Sequence, residues 1–296
     1  MSVPRPRKSS RPLAAILVAS LLTFGSVAAQ AQQLQDGSTA PRALPIGVPT
    51  SPLQSAVKSF TGEMVLYGSD SVALLKSPLR WDHNDWATFG GAAFLVGALF
   101  MADKDVHDYA QTHRTPLSDG VADVTKRFGL EYAYGIPIAM TAGGIVFKNE
   151  RVRDTGRDAL EAALISGLLT NAVLKPLIGR NRPEETNGET SYRFLRSDAS
   201  FPSGHATQAF AVASVFAARS KGWVVPTISY TLATIVALDR MNDDRHFSSD
   251  VLAGAVIGTA VGQFIVKRHA RPEDPVPTTK LELVPIGGGL AMKLSF

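Results

Sequence analysis

Three short stretches concentrate the residues able to do chemistry. They are Lys175-Pro-Leu-Ile-Gly-Arg-Asn-Arg182-Pro183, then Phe201-Pro202-Ser203-Gly204-His205-Ala206, then Arg240-Met-Asn-Asp-Asp-Arg-His246-Phe-Ser-Ser-Asp250. Each has a plain structural reading. Ser203 is a good N-cap and Gly204 allows a tight turn, although such a helix start also turns free N–H groups toward an anion. Lys175 and Arg182 are seven apart, about two helical turns, near a helix end where cations suit the dipole and where Pro183 stops the helix. His246 and Asp250 stand at i and i+4, and as a surface pair they would contribute only a few tenths of a kcal/mol. The chemical reading of that pair is different. Asp250 can accept a bond from His246 Nδ1–H, which fixes the tautomer and leaves Nε2 free to act as a nucleophile.

Taken together, the stretches resemble the signature of the type 2 phosphatidic acid phosphatase and vanadium haloperoxidase superfamily. Its blocks are K-x-x-x-x-x-x-R-P, P-S-G-H and S-R-x-x-x-x-x-H-x-x-x-D, matched by Lys175 to Pro183, Pro202 to His205, and Arg240 to Asp250. One position departs: Asp239 stands where the family has Ser. The resemblance covers about residues 81–268, with its sharp motifs within 175–250. It implies that His246 attacks phosphorus and becomes a phosphohistidine, oriented by Asp250. His205 would protonate the leaving alcohol and later activate water. Lys175, Arg182, Ser203, Gly204 and Arg240 would hold the phosphoryl oxygens, a job of positioning and charge stabilisation that cations and a helix N-terminus perform.

The resemblance implies no cofactor and no metal, and no His/Asp/Glu cluster stands at metal spacing. His83, His107 and His113 lie in polar segments and read as solvated. Arg180 and Arg245 receive no role. The expected activity is hydrolysis of phosphate monoesters or pyrophosphates, with a phosphorylated lipid ahead of a small phosphate ester as partner. A soluble non-specific acid phosphatase and a vanadate-dependent haloperoxidase are the alternatives. The haloperoxidase would use the same pocket for vanadate, but 296 residues leave little room for its larger helical elaborations. A helical bundle with a vestigial site is a further, non-enzymatic reading. Residues 184–201, with Tyr192, Phe194 and Leu195, are the candidate pocket walls.

The elements that must position these residues read as all-α: a bundle of about six helices with the site at one end, plus a short C-terminal β-hairpin. Residues 1–31 read as a signal peptide, with a basic start, an apolar run and Ala29-Gln30-Ala31 as a cleavage site. Residues 32–80 hold a linker and an amphipathic helix, 81–271 the helical domain, and 272–296 a second linker and the hairpin. An apolar stretch opening at Asp85-Trp86 is expected to end at Met101-Ala102, before a charged segment running to Arg127. Helices follow at about 130–147, 158–178, 206–219, 223–238 and 250–268, apolar on nearly all faces and dotted with Gly254, Gly258 and Gly262.

Charge excludes one function class. Arg5, Arg7, Lys8 and Arg11 sit in the leader, and without them 26 basic residues face 26 acidic ones. The folded part is neutral, which argues against nucleic-acid binding. Location is contested. If the apolar helices span a membrane, Lys148, Arg151, Arg153, Arg157, Arg219, Lys221, Lys267, Arg268 and Arg271 fall opposite the motifs, and the positive-inside rule puts the site outside. A leader at 1–31 followed by alternating spans puts it inside. Translocation of the whole bundle removes the conflict, so the expectation is an exported protein, periplasmic or against a membrane surface. The inner membrane is the alternative.

Overall fold

A computed structural model describes residues 61–270 in full and the backbone alone of 52–60, 280–286 and 289–295. The leader and linker, 1–51, lie outside the described residues. The side chains of 271–296 do too, so the expected hairpin is carried forward as a proposal. The chain falls into two compact units, 1–72 and 73–296, and the site belongs entirely to the second.

The described part is mostly helical, with about nine helices where six were expected. In chain order they are α1 (Pro52–Lys76), α2 (His83–Thr112), α3 (Pro116–Thr125), α4 (Glu131–Val146), α5 (Glu150–Ile178), α6 (Pro183–Thr186), α7 (Gly204–Arg219), α8 (Val224–Asn242) and α9 (Ser248–Arg268). Local chemistry explains the surplus. Thr115 caps α3 through a reciprocal pair with Ser118, with Pro116 in its first turn, so a helix starts inside the segment read only as charged. Asp82 caps α2 in the same way with Asp85. That helix then runs ten residues past Ala102, because its polar residues bond to other parts of the fold.

Helix α7 is the central element, packed by α5, α8 and α9. Its Ala211 and Val215 are fully buried against Ala159, Ala162 and Ala163 of α5 and Ile265 of α9. The approach of α9 is close because Gly254, Gly258 and Gly262 face α7 at every fourth position. A Cβ at Gly258 would stand 2.1 Å from the Thr207 carbonyl oxygen, and one at Gly254 2.6 Å from that of Ser203. Small residues at this spacing let two backbones touch, and this brings the starts of α7 and α9, with His205 and Asp250, side by side.

The outer surface differs from that of a water-soluble bundle. Phe94 of α2 is 74% exposed and Met101 89%, and Ile145, Val146 and Phe147 at the end of α4 are also exposed. Three helices, α2, α5 and α9, are long and apolar enough to cross a membrane. Mean hydropathy, only +0.06 for the sequence, averages this surface with a polar site and charged loops and so conceals it.

Candidate active site

The three motifs converge on one cavity of about 430 Å³, lined by Lys175, Arg182, Gly204, His205, Arg240 and His246, together with Leu130, Asn171, Gln208 and Arg245. Ser203 and Asp250 are buried just behind it.

Lys175 follows a π-helical turn in α5, Leu169–Leu174, a widening that often marks a functional site. The seven-residue spacing to Arg182 is not helical, as had been expected. The helix ends at Ile178, and Gly179 takes a left-handed φ of 67°. A Cβ there would strike the Arg193 backbone at 2.3 Å, so this turn requires glycine. The chain then returns extended, and Arg182 Nε donates to the Asp198 carbonyl at 3.1 Å. Lys175 is only 6% exposed, and among the described residues its ammonium has no hydrogen-bond or ion-pair partner.

The second motif forms the start of α7. Ser203 is the N-cap, its hydroxyl accepting from Ala206 N–H at 3.4 Å, while its own N–H donates to the Asp250 carbonyl. Gly204 is packed beneath Asn171, whose Oδ1 would lie 3.1 Å from any added Cβ. His205 follows in the first turn, with Gly129 pressed so near that a Cβ there would meet the ring at 2.9 Å.

His246 precedes α9 rather than lying on it, and Asp250 is the third residue of that helix. The direct Nδ1–carboxylate bond expected from i,i+4 spacing is therefore replaced by a bridge. His246 Nδ1 stands 3.7 Å from Asp250 Oδ2, beyond a formed hydrogen bond. Ser200 Oγ sits between them, 3.4 Å from Nδ1, and donates to Asp250 Oδ2. The backbone N–H of Phe247 donates to the same carboxylate oxygen at 2.8 Å.

Arg180, left without a role by the sequence, is fully buried behind the cavity. Nη1 donates to Asp250 Oδ1 and Nη2 to Asp103 Oδ2, each at 2.8 Å. The rings of Phe247 and Phe100 cover its two faces, 3.8 and 4.5 Å from the guanidinium carbon. Ser200, Asn171 and Gln208 were also missed. Ser200 could have been suspected only from its nearness to Pro-Ser-Gly-His. Asn171 and Gln208 stand one turn from Lys175 and His205, the only signal that could have found them. His107 is not solvated either: its side chain is 11% exposed and Nε2 lies 2.8 Å from Asp244 Oδ1. The proposed walls are absent from the cavity; Tyr192, Phe194 and Leu195 are exposed outside it. Arg245 does line it, half-exposed at the rim and paired with Glu184.

Burial dominates the electrostatics. It pushes His246 down to about 4, against the pull of Asp250 and with help from nearby Lys175 and Arg182. It pushes His205 down to about 3, aided by Arg240, His246, Lys175 and Arg182. Both imidazoles are therefore neutral at pH 7, each with one unprotonated ring nitrogen. Asp239 is buried, accepts from Thr125 Oγ1, and is pushed up to about 6 by desolvation.

Residues 158–273 match the PAP2 superfamily. A lipid A 1-phosphatase of Porphyromonas gingivalis is 36% identical over 110 residues, covering 36% of this chain and 22% of that protein. A PA-phosphatase related-family protein of Dictyostelium discoideum is 30% identical over 155 residues, covering 45% of this chain and 56% of its own length. The chain thus spans only part of these curated relatives. Among solved structures, a transmembrane PAP2 type phosphatidylglycerolphosphate phosphatase from Bacillus subtilis shares the fold, with a TM-score of 0.50 and 22% identity, covering 63% of this chain and 98% of that one. Residues 158–273, which contain all three motifs converging on the cavity, form a PAP2 superfamily domain.

Proposed function

We propose that the protein is a membrane-associated, metal-independent phosphatase that hydrolyses lipid phosphates or pyrophosphates through a phosphohistidine. The observation that carries this reading is a buried cation without a counter-charge. Lys175 has no partner among the described residues; Arg240 pairs with Asp243 through Nη2 and leaves only its buried Nε without one. An unpaired buried charge such as that of Lys175 is costly, and both residues line the cavity that holds the two histidines. A phosphoryl group there would satisfy them and meet the N–H groups at the start of α7.

In this reading His205 takes up a proton as the phosphate dianion binds beside it, His246 attacks phosphorus in line, the P–O bond to the alcohol breaks, and His205 gives that proton to the alcohol. Water then attacks the phosphohistidine, giving its proton to His205 as the P–N bond breaks. Asp250 acts through Ser200, holding His246 with Nδ1 protonated. The lipid part of the proposal rests on the apolar outer faces of α2 and α4 and on the three membrane-length helices. Export by residues 1–31, a periplasmic site and a C-terminal hairpin complete the proposal, and all three rest on the sequence pattern.

The test is a substrate panel of phosphatidate, an isoprenyl pyrophosphate and a soluble aryl phosphate, with and without detergent. The reading expects lipid phosphates to be preferred, activity to survive EDTA, and vanadate to inhibit. Loss in EDTA with recovery on adding a divalent ion would overturn the mechanism. Full recovery of a protein lacking residues 1–31 in a detergent-free high-speed supernatant would overturn membrane association.

A further inference from the structure

Helix α2 lies outside the matched PAP2 region, yet it carries polar residues at intervals of four: Asp103, His107 and Gln111. That spacing defines one helix face. All three bond to the segment that carries His246 and Asp250. Asp103 Oδ1 accepts from Ser248 Oγ at 2.7 Å and from Ser249 N–H at 2.9 Å, and Oδ2 accepts from Arg180, the residue that holds Asp250. His107 Nε2 is 2.8 Å from Asp244 Oδ1. Gln111 Nε2 donates to the Met241 carbonyl at 2.9 Å. Phe100, one turn before Asp103, lies against the Arg180 guanidinium.

The segment needs such support. Between α8 and α9 the backbone N–H groups of Arg245 and His246 both converge on the Arg240 carbonyl. Asp244 has a φ of 58°, a left-handed conformation that costs a non-glycine residue about 1 kcal/mol. A turn of this kind holds a histidine ring in place only if its neighbours fix it.

We propose that the Asp103–His107–Gln111 stripe of α2 is a positioning device for the nucleophile. His107 and Gln111 fix the turn before His246, and Asp103, with Arg180, fixes Asp250 and the start of α9. None of these residues lines the cavity, so they act on the reaction through His246 and Asp250. The kinetic consequence rests on the phosphatase reading; the structural claim does not.

The test uses the full chain in detergent, with His107→Leu, His107→Gln, Gln111→Ala, Asp103→Asn and Arg180→Lys. Hydrogen exchange of the 241–250 amides is read beside steady-state and burst kinetics on an activated aryl phosphate. His107→Leu should speed exchange in 241–250 by about 10-fold or more while the centre of α7 stays protected. It should lower kcat by up to about 100-fold, the scale of a misplaced reacting group, with KM and vanadate inhibition within about 2-fold of wild type. His107→Gln keeps an N–H where Nε2 stands and should recover most of kcat, which a purely stabilising role would not predict. Unchanged exchange in 241–250 would overturn the proposal, as would a KM that rises in step with falling kcat without rescue by His107→Gln. If the wild type hydrolyses nothing on the panel, the proposed function falls, and exchange alone then decides the positioning claim.

Discussion

Two buried ionic clusters occupy different parts of the helical unit, and they are wired differently. At the site, Arg180 bridges Asp103 and Asp250 through its two terminal nitrogens, but Lys175, which lines the cavity beside them, has no partner among the described residues. In the second cluster Asp158 of α5 takes Arg219, from the end of α7, on Oδ2 and His269, just past α9, on Oδ1. Arg219 also donates to the His269 carbonyl, and its own carbonyl accepts from Arg151. The Asp158 cluster ties helix ends together, whereas the site cluster leaves charge unspent. Buried charge alone is therefore no sign of function in this protein; charge left without a partner beside a cavity is.

The largest effects should come from the two histidines. His246→Ala should give no burst with any substrate and lose at least about 10⁴-fold in kcat, the scale for removing a nucleophile. With an alkyl phosphate, His205→Ala should be nearly as inactive. With an activated phenol it should still form phosphoenzyme and be slow mainly in hydrolysing it. Asp250→Asn should fall between these, because Ser200 would still lie next to Nδ1. A burst retained in His246→Ala and lost in His205→Ala would mean that the two roles are reversed.

Substitutions in the two clusters should then separate. Lys175→Met should cost about 10²–10³-fold in activity, the scale of losing one charge-stabilising donor, while leaving the melting temperature in detergent unchanged or higher, since it removes an unpaired buried cation. Asp158→Ala should do the reverse. Stranding Arg219 should cost about 3 kcal/mol, with kcat among the folded molecules unaltered. Destabilisation by Lys175→Met equal to that by Asp158→Ala would erase the distinction.

The sequence disclosed the site's membership better than its wiring. Lys175, Arg182, His205, Arg240 and His246 could be assembled from motif spacing because the family pattern fixes residue types. The hydrogen bonds between them depend on where helices start and stop, and this is where spacing misled. Reading 175–182 as helix overlooked Gly179, and reading 246–250 as helix overlooked Phe247 as the cap, which turned a direct His–Asp bond into a bridge through Ser200. His107 was misread because a polar residue on a helix looks solvated until its neighbour, Asp244, is brought to it from 137 positions away. The exposed apolar residues of α2 were hidden for a related reason: mean hydropathy cannot tell which face of a helix is exposed.

The smallest effect, and the one that compares the clusters most directly, is the pH dependence of stability. In the unfolded chain both site histidines would titrate near 6.5, while in the fold His246 is held to about 4 and His205 to about 3, chiefly by burial. Below pH 6.5 the unfolded chain therefore takes up protons that the folded one refuses, and stability falls as pH drops toward 4. Asp239 works in the opposite direction. Its folded value of about 6 lies above the ordinary 3.8, so the folded chain gains a proton first and stability rises as pH falls through that window. Two imidazoles outweigh one carboxyl, and the net slope should follow the histidines. The melting temperature in detergent should be lower at pH 5 than at pH 7. A His205→Asn/His246→Asn double variant should flatten that difference, and Asp239→Ser, which installs the family residue, should steepen it. Asp158→Ala should shift both melting temperatures together. A wild type with equal melting temperatures at the two pH values, or a double variant that keeps the full slope, would show that the acid sensitivity does not originate in the site.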